Sequence, residues 1–369
     1  MSSPADRRLT VLMTADAVGG VWNYTLALCA ALPAFRFVLA VMGPSPSETQ
    51  RMAVARLDNV VLEEAPYRLE WMAGADADLG ASRQWLASLA RRHDAGLVHI
   101  NGYAHAPLDA DCPILAVAHS DVLSWWQAVH GEAAPAEWDP YEREVAAGLT
   151  AADRIVAPSR AVLDDLATHY GVPRDAGMVI PNGIDLAAYM PRPKRPVIMA
   201  AGRLWDAAKN LALPDDVAAG LSWPVEIAGK AMSPEGGAAC FAAAHLLGVL
   251  TPAEMAVRLG RAAIFAAPAR YEPFGLGILE AAASGCALVL GDIPSLRENW
   301  QGAALFVAPD DPMAWRSALR HLIDDAGERA QLACAAQKRA RGFSREAMAR
   351  RYMALYREMV GDDARREVA

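Results

Sequence analysis

The stretch ARYEPFGLGILEAAASGCALVLGDIPSLREN, residues 269–299, carries the pattern that decides the fold. Proline and glycine after Glu272 predict a turn, followed by a helix from about Leu276 to Ser284. Glu272 then stands in the loop before the helix, and Glu280 lies inside it. Amides at a helix start hold anions or sugar hydroxyls, and carboxylates accept hydrogen bonds from hydroxyls. We therefore predict a ligand-binding turn that follows a buried strand.

Two other interpretations of these glutamates stay open at this point. Paired carboxylates also act as the general acid and the nucleophile of glycoside hydrolases. Alternatively, Glu272 only caps the helix that follows it. The choice depends on the other side chains at the same end of the sheet.

Short apolar runs alternate with amphipathic stretches on both sides of this turn. Continuous apolar strands separated by helices predict parallel sheets covered on both faces, with the chemistry at the carboxyl ends of the strands. Helices are predicted over Val21–Leu32, Gly80–Arg92 and Pro140–Ala151. The predicted strands are Leu9–Met13, Phe37–Met42, Leu97–Ile100, Ile114–Ala118, Ile155–Ala157, Val197–Ala201, Val225–Ala228, Ala263–Ala267, Ala287–Leu290 and Ala304–Val307.

Prolines and basic residues concentrate at Met190–Pro196, a composition typical of an interdomain linker. We therefore predict an α/β fold with two doubly wound, Rossmann-like domains, residues 1–190 and 191–343. The amphipathic stretch Ser344–Val360 predicts a final helix.

Candidate phosphate-binding residues follow the first strand of each predicted domain. Gly19 and Gly20 stand just before a helix, where backbone amides approach a phosphate, although such a pair on its own is more often a plain tight turn. Arg203 and Lys209 follow strand Val197–Ala201 and are placed to neutralise a diphosphate. Solvated surface charges are the alternative for this pair.

Composition excludes several classes of protein. The 369 residues are 54% hydrophobic and 21% charged, which predicts well-buried cores and little disorder. Lys and Arg number 35 against 43 Asp and Glu, a net charge of −8, so no nucleic acid partner is expected. Residues 1–190 hold 13 basic and 23 acidic residues. This excess of acids favours a neutral or cationic small-molecule partner over an anionic membrane surface, unless it only serves solubility.

Cysteine usage and apolar runs predict a soluble, cytoplasmic protein. The five cysteines are scattered and lack a C-x-x-C spacing, so we expect reduced, mostly buried thiols. The run Leu9–Met13 is too short for a signal peptide, and no segment reaches the roughly 18 apolar residues that span a bilayer. Asp76 and Asp78, like Asp109 and Asp111, form D-x-D pairs in Ala- and Asp-rich segments without a preceding strand. We predict no metal and no cofactor.

Five short motifs follow one another along the chain. They are G-G-V at 19–21, A-P-S at 157–159, I-P-N-G-I-D at 180–185, G-R-L…K-N at 202–210 and E-P-F-G-L-G-I-L-E at 272–280. Their order and spacing resemble those of retaining family-4 (group-1) glycosyltransferases, over essentially the whole chain from about residue 9 to the last helix. The resemblance implies the GT-B fold, in which two Rossmann-like domains face each other across a cleft. The last segment, 344–369, would cross back to the first domain.

The resemblance implies a role for each candidate residue. Arg203 and Lys209 would bind the donor's diphosphate and stabilise charge on the leaving group, and amides at Gly19 and Gly20 would touch the same diphosphate. His119 matches the active-site histidine that lies near the transferred sugar.

The two glutamates would hold the rest of the donor. Glu280 would bind the ribose hydroxyls, and Glu272 would bind hydroxyls of the sugar. The base would lie near Val249 and Leu250, within the segment Leu247–Leu250. The backbone of three residues, Phe274, Gly275 and Leu276, would assist Glu272.

The predicted activity is transfer of a hexosyl group from a nucleotide diphosphate sugar, with UDP favoured by its frequency in the family. The acceptor would be a hydroxyl of a soluble sugar, glycoside or small molecule. The reaction would be metal-independent and retaining, with same-face attack and no enzymic nucleophile; Arg203, Lys209, Glu272 and His119 would form the catalytic group. A nucleotide-sugar 2-epimerase of the same fold and a non-catalytic nucleotide-sugar-binding protein are the alternatives.

The segment Ser120–Tyr141 has no counterpart among the family motifs and is rich in aromatic residues. We predict that its members bind the acceptor, because aromatic faces stack on sugar rings and nearby acids attract amines. Burial in the core is the alternative, favoured for Trp125 and disfavoured for Trp138, which is expected in a loop. The predicted acceptor residues are Trp125, Trp126, Trp138 and Asp121. A second departure is Gly229–Leu247, which is short for the passage that usually leads to the base site.

Overall fold

A computed structural model describes residues 8–232 and 240–361. The chain divides into two compact units. The first unit comprises the described parts of Met1–Ser124, Ala133–Gly183 and Arg345–Ala369, and the second comprises Trp125–Glu132 and Ile184–Ser344. Each unit is built around one parallel sheet.

The strands are numbered in chain order. In the first unit they form a seven-stranded sheet in the order β3-β2-β1-β4-β5-β6-β7, and in the second a six-stranded sheet in the order β10-β9-β8-β11-β12-β13. Both sheets are doubly wound, with the strand order reversing beside the first strand of the unit. Their bounds are β1 Thr10–Asp16, β2 Arg36–Met42, β3 Val60–Glu64, β4 Leu97–Ile100, β5 Ile114–Val117, β6 Arg154–Ala157, β7 Gly177–Val179, β8 Arg195–Ala201, β9 Val225–Ala228, β10 His245–Gly248, β11 Ala262–Ala267, β12 Ala287–Gly291 and β13 Leu305–Val307.

Helices connect the strands and cover both faces of each sheet. Sequence signals define several of their starts, such as the capping boxes at Ser47 and at Thr251. The helices are α1 Gly20–Ala31, α2 Glu48–Val54, α3 Asp76–Arg92, α4 Val122–His130, α5 Asp139–Ala151, α6 Arg160–Tyr170, α7 Ala212–Ala218, α8 Pro252–Arg261, α9 Leu276–Ala283, α10 Pro294–Trp300, α11 Pro312–Asp324, α12 Ala326–Ala340 and α13 Arg345–Val360.

The final helix α13 belongs to the first unit, which confirms the predicted return of the chain. Its residues Tyr352 and Tyr356 are buried against α1 and the core of the first sheet, next to Phe35 and His99. An apolar stripe at helical spacing is needed for this packing, and the predicted amphipathic pattern supplies it.

The central strands and the edge strand β13 agree with the predicted apolar runs, and the other edge strands do not. β4 and β9 have the predicted bounds because they are largely buried and each has only one polar residue among apolar ones. β3, β7 and β10 are missing from the prediction, since each lies at a sheet edge and is only partly buried. The predicted linker Met190–Pro196 also needs correction, because β8 already begins at Arg195.

Two further findings concern the predicted environment of the chain. No helix among residues 8–232 and 240–361 is both long and apolar enough to cross a bilayer. Cys29 and Cys286 are buried, but Cys240 and Cys334 are exposed, so the expectation of mostly buried thiols was wrong. Cys240 precedes the edge strand β10 and Cys334 lies on the exposed side of α12, positions that the residue type alone does not reveal.

Candidate active site

The loop between β8 and α7 carries the two predicted phosphate-binding cations. Arg203 points its Nη2 and Nε atoms at Oδ2 of Asp206, at 2.5 Å and 3.1 Å. Its guanidinium also lies over the ring of Trp205, with 5.5 Å to the ring centroid. Nη1 of Arg203 makes no hydrogen bond to any residue that the structure describes. The cation is therefore oriented on one edge and open on the other.

Asp206 is the buried anchor of this loop. Its Oδ1 accepts hydrogen bonds from the amide of Ala208 (3.0 Å) and from the indole nitrogen of Trp125 (3.3 Å). Burial opposes ionisation of this carboxyl, but the attraction and hydrogen bonds of Arg203 outweigh it and hold its pKa below the usual range. Asp206 therefore stays charged and keeps Arg203 in place.

Lys209, from the same loop, meets Glu272, from the loop after β11. The distance from Nζ to Oε2 is 2.5 Å, and both side chains are mostly buried. The backbone oxygen of Glu272 accepts a hydrogen bond from Ser295 at 2.6 Å. Glu272 is not the cap of α9, because Gly275 is the N-cap residue and no side chain caps it. This geometry removes the alternative that Glu272 serves only as a helix cap.

The start of α9 is an uncapped helix N-terminus beside this ion pair. Gly275 has φ +87°, and a Cβ at this position would lie 2.8 Å from Cδ1 of Ile278. Phe274 is buried in the core of the second unit, and Leu276 is partly buried. The free amides of such a terminus favour negative charge and hydrogen-bond acceptors.

Glu280 lies on α9 and accepts a hydrogen bond from the hydroxyl of Tyr189. Burial raises the pKa of Glu280 to about 7, while the bond from Tyr189 lowers it. With a pKa near 7, Glu280 is partly protonated at neutral pH. Hydroxyl groups that donate hydrogen bonds to it would favour its charged form.

The predicted base-binding residues are less well defined. Val249 is 74% exposed, and Leu250 is partly buried against the core of the second unit. Both follow the edge strand β10. Residues 233–239, within the segment Gly229–Leu247 that departs from the family pattern, lie outside the described residues.

The first unit places its predicted residues at the carboxyl ends of β1 and β5. Gly19 is the N-cap of α1 with φ +80°, Gly20 opens the helix, and both are exposed. His119 follows β5, and its Nε2 lies 2.9 Å from Oδ1 of Asn101. Burial lowers the pKa of His119 to about 4, so it is neutral at pH 7.

The predicted acceptor residues have different environments. Trp125 and Trp126 lie on α4, where the ring of Trp126 packs 4.5 Å from that of His130. Trp138 was expected in a loop, but it ends the 3₁₀ turn Ala136–Trp138, directly before α5, and packs 5.8 Å from Tyr141. The local Pro-Ala-Glu-Trp-Asp-Pro pattern resembles a loop because short 3₁₀ turns use the same residues.

Asp121 is buried at the start of α4 and has several partners. It accepts hydrogen bonds from the amide and hydroxyl of Ser124 (2.9 Å and 2.6 Å) and from the hydroxyl of Tyr170 (2.9 Å). Its role in acceptor binding stays a prediction, and the structure adds that its carboxylate organises α4.

Sequence reasoning missed three residues that organise these loops: Asp206, Asn210 and Asn101. Asn210 has φ +52°, and its side chain donates to the carbonyls of Pro268 (3.2 Å) and Pro309 (2.8 Å). The spacing of Asp206 three residues after Arg203 was a usable signal, because such pairs meet at the start of a turn. Asn210 closes the G-R-L…K-N motif, but its partners Pro268 and Pro309 are distant in sequence, so its hydrogen bonds could not be predicted. Asn101 belongs to none of the motifs and gave no signal.

The acidic pairs considered as metal ligands lie apart from these groups. Asp76 and Asp78 are in the first turn of α3, and Asp109 forms an exposed ion pair with Arg91. Across residues 8–232 and 240–361, no three His, Cys, Asp or Glu side chains are grouped as a metal site would require.

Two family models match the chain. The model described as Glycosyltransferase Family 4 matches residues 18–188, and the model described as Glycosyl transferases group 1 matches residues 195–325. Solved structures with the GT-B fold are similar over nearly the full length. Sucrose-phosphate synthase from Thermosynechococcus elongatus has a TM-score of 0.78 at 17% identity, covering 95% of this chain and 99% of its own. HepE from Anabaena, solved with UDP-glucose, has a TM-score of 0.73 at 16% identity, covering 94% of this chain and 99% of its own.

Curated relatives are similar in sequence over part of their length. The D-inositol 3-phosphate glycosyltransferase of Kineococcus radiotolerans is 28% identical over 58% of this chain and 59% of its own. The enzyme of the same name from Xylanimonas cellulosilytica is 30% identical over 53% of this chain and 54% of its own. The chain thus spans little more than half the length of these relatives. With a family-4 model on one half and a group-1 model on the other, on a GT-B fold, the chain belongs to the family-4, group-1 glycosyltransferases.

Proposed function

We propose that this chain transfers a hexosyl group from a nucleotide diphosphate sugar to a hydroxyl of a small acceptor, with retention of anomeric configuration. The observation that carries the proposal is the group formed by Arg203, Lys209 and Glu272 at the carboxyl edge of the second sheet. It combines two cations with a carboxylate and an uncapped helix N-terminus. A diphosphate needs the cations, and a sugar hydroxyl needs the carboxylate.

Charge development gives each group its role. Departure of the nucleoside diphosphate places negative charge on the β-phosphate, which the open edge of Arg203 and the ammonium of Lys209 stabilise. Lys209 leaves Glu272 to do so, and Glu272 becomes free to accept a hydrogen bond from the sugar. These two cations fill the role that a divalent ion has in other transferases, so we propose a metal-independent reaction.

Retention is proposed through same-face attack. The bond from the anomeric carbon to the phosphate oxygen breaks, and the acceptor oxygen bonds to the same face of that carbon. The departing phosphate oxygen takes the acceptor's proton. We propose no covalent intermediate, and we assign Glu272 to a hydroxyl of the sugar rather than to the anomeric carbon.

A UDP-sugar is the first donor to test, because HepE shares the fold and was solved with UDP-glucose. The acceptor has two candidates of opposite charge. The curated relatives are named for D-inositol 3-phosphate, an anion, whereas the 23 acidic against 13 basic residues of 1–190 favour a neutral or cationic acceptor. We propose the neutral or cationic class.

The decisive experiment is a thermal-shift screen of UDP-, GDP- and ADP-sugars with EDTA present. A donor at a hundredfold its Kd adds about 2.7 kcal/mol, which raises Tm by several degrees. We expect one donor to stabilise the wild type and not Glu280→Ala, while a surface variant of α10, Glu298→Ala, responds like the wild type. A shift that needs a divalent metal, or no shift with any donor, would contradict the proposal.

Turnover then separates the alternatives. With acceptor, ¹H NMR of the product reports the anomeric configuration, and inversion would contradict same-face attack. Donor incubated alone tests for an epimerase, which would yield the 2-epimer. Donor binding without turnover of any acceptor would leave the non-catalytic alternative.

A further inference from the structure

A cavity of about 380 Å³ lies at the amino edge of the second sheet. Its walls include Arg195 and Pro196 at the start of β8, Ala263 in β11 and Gly285 shortly before β12. Since β8 has seven residues and is about 20 Å long, the cavity lies at the far end of this strand from Arg203. The cavity is therefore separate from the candidate donor site.

Three cations border this cavity: Lys194, Arg195 and Arg329. None of them forms an ion pair within residues 8–232 and 240–361, and no Asp or Glu of that part of the chain lines the cavity. Asp325 stands next to the lining in sequence, but it is the N-cap of α12 and its carboxylate accepts an amide hydrogen bond at 2.8 Å. Three positive charges thus border one cavity whose described walls supply no counter-charge.

Arg329 is held in place and keeps part of its hydrogen-bonding capacity. Its guanidinium lies over the ring of Trp223, with 4.9 Å to the ring centroid. Its Nη1 donates to the backbone oxygens of Leu322 and Ile323, at 2.5 Å and 3.1 Å. Nε and Nη2 make no hydrogen bond to any residue that the structure describes. A fixed guanidinium with free N–H groups suits an anion that accepts hydrogen bonds.

The other two cations contribute in different ways. Nζ of Lys194 donates to the backbone oxygens of Leu259 (3.3 Å), Ala262 (2.8 Å) and Ser284 (2.7 Å). These three bonds use all its hydrogens, so Lys194 adds positive charge but no further donor. The side chain of Arg195 makes no hydrogen bond within the described residues, and this exposed residue keeps all five N–H donors. Arg195 and Arg329 are therefore the two available donors.

The remaining walls are largely apolar. They are formed by the ring of Trp223, by Pro196 and by alanines, among them Ala326, Ala330 and Ala333 of α12. The volume is within the range of sites for small organic molecules, about 300–1,000 Å³. A ligand that fits these walls combines a compact anionic group with an apolar body.

We propose that this cavity is a second ligand site, which binds a small organic phosphate: Arg195 and Arg329 bind the phosphate group, and the apolar walls contact the organic part. The basic residues of Met190–Pro196 then have a use beyond a linker, because two of them border the site. The proposal does not depend on the proposed function, since every residue in it belongs to the amino edge of the second sheet.

The test uses phenyl phosphate as the probe, titrated by calorimetry. We expect it to bind the wild type and Arg203→Met with the same Kd, and Arg195→Met to raise the Kd about tenfold. The matched control is Arg341→Met, which removes an exposed arginine beyond the other end of α12 and should bind like the wild type. Equal weakening by Arg341→Met would mean general electrostatics and overturn the proposal. Loss of binding in Arg203→Met would place the probe in the candidate donor site and also overturn it.

A second measurement reports on Arg329 itself. Its Nε–H signal in ¹H–¹⁵N NMR, assigned from Arg329→Lys, should shift when phenyl phosphate is added. Inorganic phosphate and phenol each carry only half of the recognised chemistry, so both should bind about tenfold more weakly than phenyl phosphate. An unmoved Arg329 signal, or equal binding of inorganic phosphate, overturns the proposal.

Vesicles that contain phosphatidic acid test a membrane surface as the source of the phosphate. Binding to these vesicles without binding of phenyl phosphate would overturn the assignment of a small soluble ligand. Arg195→Met removes no contact of the folded chain that the structure describes, so the calorimetric test stands even if Arg329→Lys does not fold.

Discussion

The ammonium nitrogen of Lys209 lies 2.5 Å from Oε2 of Glu272, although the two side chains come from loops after different strands, β8 and β11. These strands are neighbours in the second sheet, so their carboxyl ends deliver both loops to one place. The pair keeps Glu272 neutralised without a ligand. In the proposed function, a diphosphate that attracts Lys209 would release the carboxylate for a sugar hydroxyl.

Lys209→Met should lower kcat/KM by about 10² to 10³, the usual cost of losing one group that stabilises transition-state charge. Tm should fall as well, because Lys209→Met leaves the mostly buried carboxylate of Glu272 without its cation. Steady-state kinetics and thermal melting measure the two effects. Lys338→Met, on the exposed face of α12, is the control and should retain wild-type activity. Activity within threefold of the wild type for Lys209→Met would exclude the assigned role.

Gly275→Ala should destabilise the protein by about 1–3 kcal/mol and weaken donor binding. The φ of +87° disfavours any residue with a Cβ, and that atom would meet Ile278 at 2.8 Å. Gly277→Ala is the matched control, since a Cβ there meets nothing within 4 Å and the position is helical. It should be neutral or stabilising by up to about 1 kcal/mol. Urea unfolding of both variants checks the prediction, and equal destabilisation would show that the strained turn is unimportant.

Glu280→Gln should change the pH dependence of both stability and binding. The pKa of Glu280 is about 7 in the folded protein against 4.5 ordinarily, so the folded state binds the proton more tightly. Its contribution to stability is full below pH 4.5 and falls as pH rises towards 7. Relative to the wild type, Glu280→Gln should therefore gain stability between pH 5 and pH 8, as urea unfolding at both values would show.

Donor binding should follow the opposite trend. If ribose hydroxyls donate to the charged carboxylate of Glu280, as predicted, the donor affinity of the wild type should rise as pH passes 7. Glu280→Gln should bind weakly and without this rise. Calorimetric titrations across pH 6 to 8 measure the donor affinity of both proteins. Identical pH profiles for the wild type and Glu280→Gln would argue against a ribose contact at Glu280.

Asp206→Ala should raise the donor Kd about tenfold, because Arg203 loses the carboxylate that orients it. Its stability should fall by about 1–3 kcal/mol, since the amide of Ala208 loses a buried acceptor. Trp125→Phe removes one 3.3 Å bond to the same carboxylate and should have a smaller effect in the same direction. Isothermal calorimetry and urea unfolding measure both quantities.

Asp310→Ala is the control for this comparison. This substitution breaks another Arg–Asp pair of the second unit, the one between Arg270 and Asp310. The side chain of Asp310 is 67% exposed. Its donor affinity should stay near that of the wild type. If Asp310→Ala and Asp206→Ala weaken binding equally, the effect is general electrostatics rather than orientation of Arg203.

Strand prediction succeeded where most of a strand is buried. In β4 and β9 one polar residue each, His99 and Glu226, stands among apolar ones and does not obscure the pattern. The edge strand β3, with Glu63 and Glu64, shows neither a continuous run nor a regular alternation, so its sequence resembles a loop. The same reason accounts for β10, whose side chains are mostly exposed.

The sequence by itself determined which residues enter the candidate site and in which order along the chain. Glu272 and Glu280 are separated by one turn and the start of one helix, and local proline and glycine preferences are enough to place them. Arg203 and Lys209 follow a recognisable strand in the same way. These are short-range relationships, governed by the backbone of a few neighbouring residues.

Only the tertiary structure decided the partners: Asp206 with Trp125, Lys209 with Glu272, and Asn101 with two histidines. The contact of Asn101 with His99 is local, but the other pairs join residues that are far apart in sequence. A hydrogen bond requires its atoms within about 3 Å and in line, which the spacing of residues along a chain does not specify. The sheet specifies it, because adjacent parallel strands bring their carboxyl ends, and the loops that follow them, to a common edge.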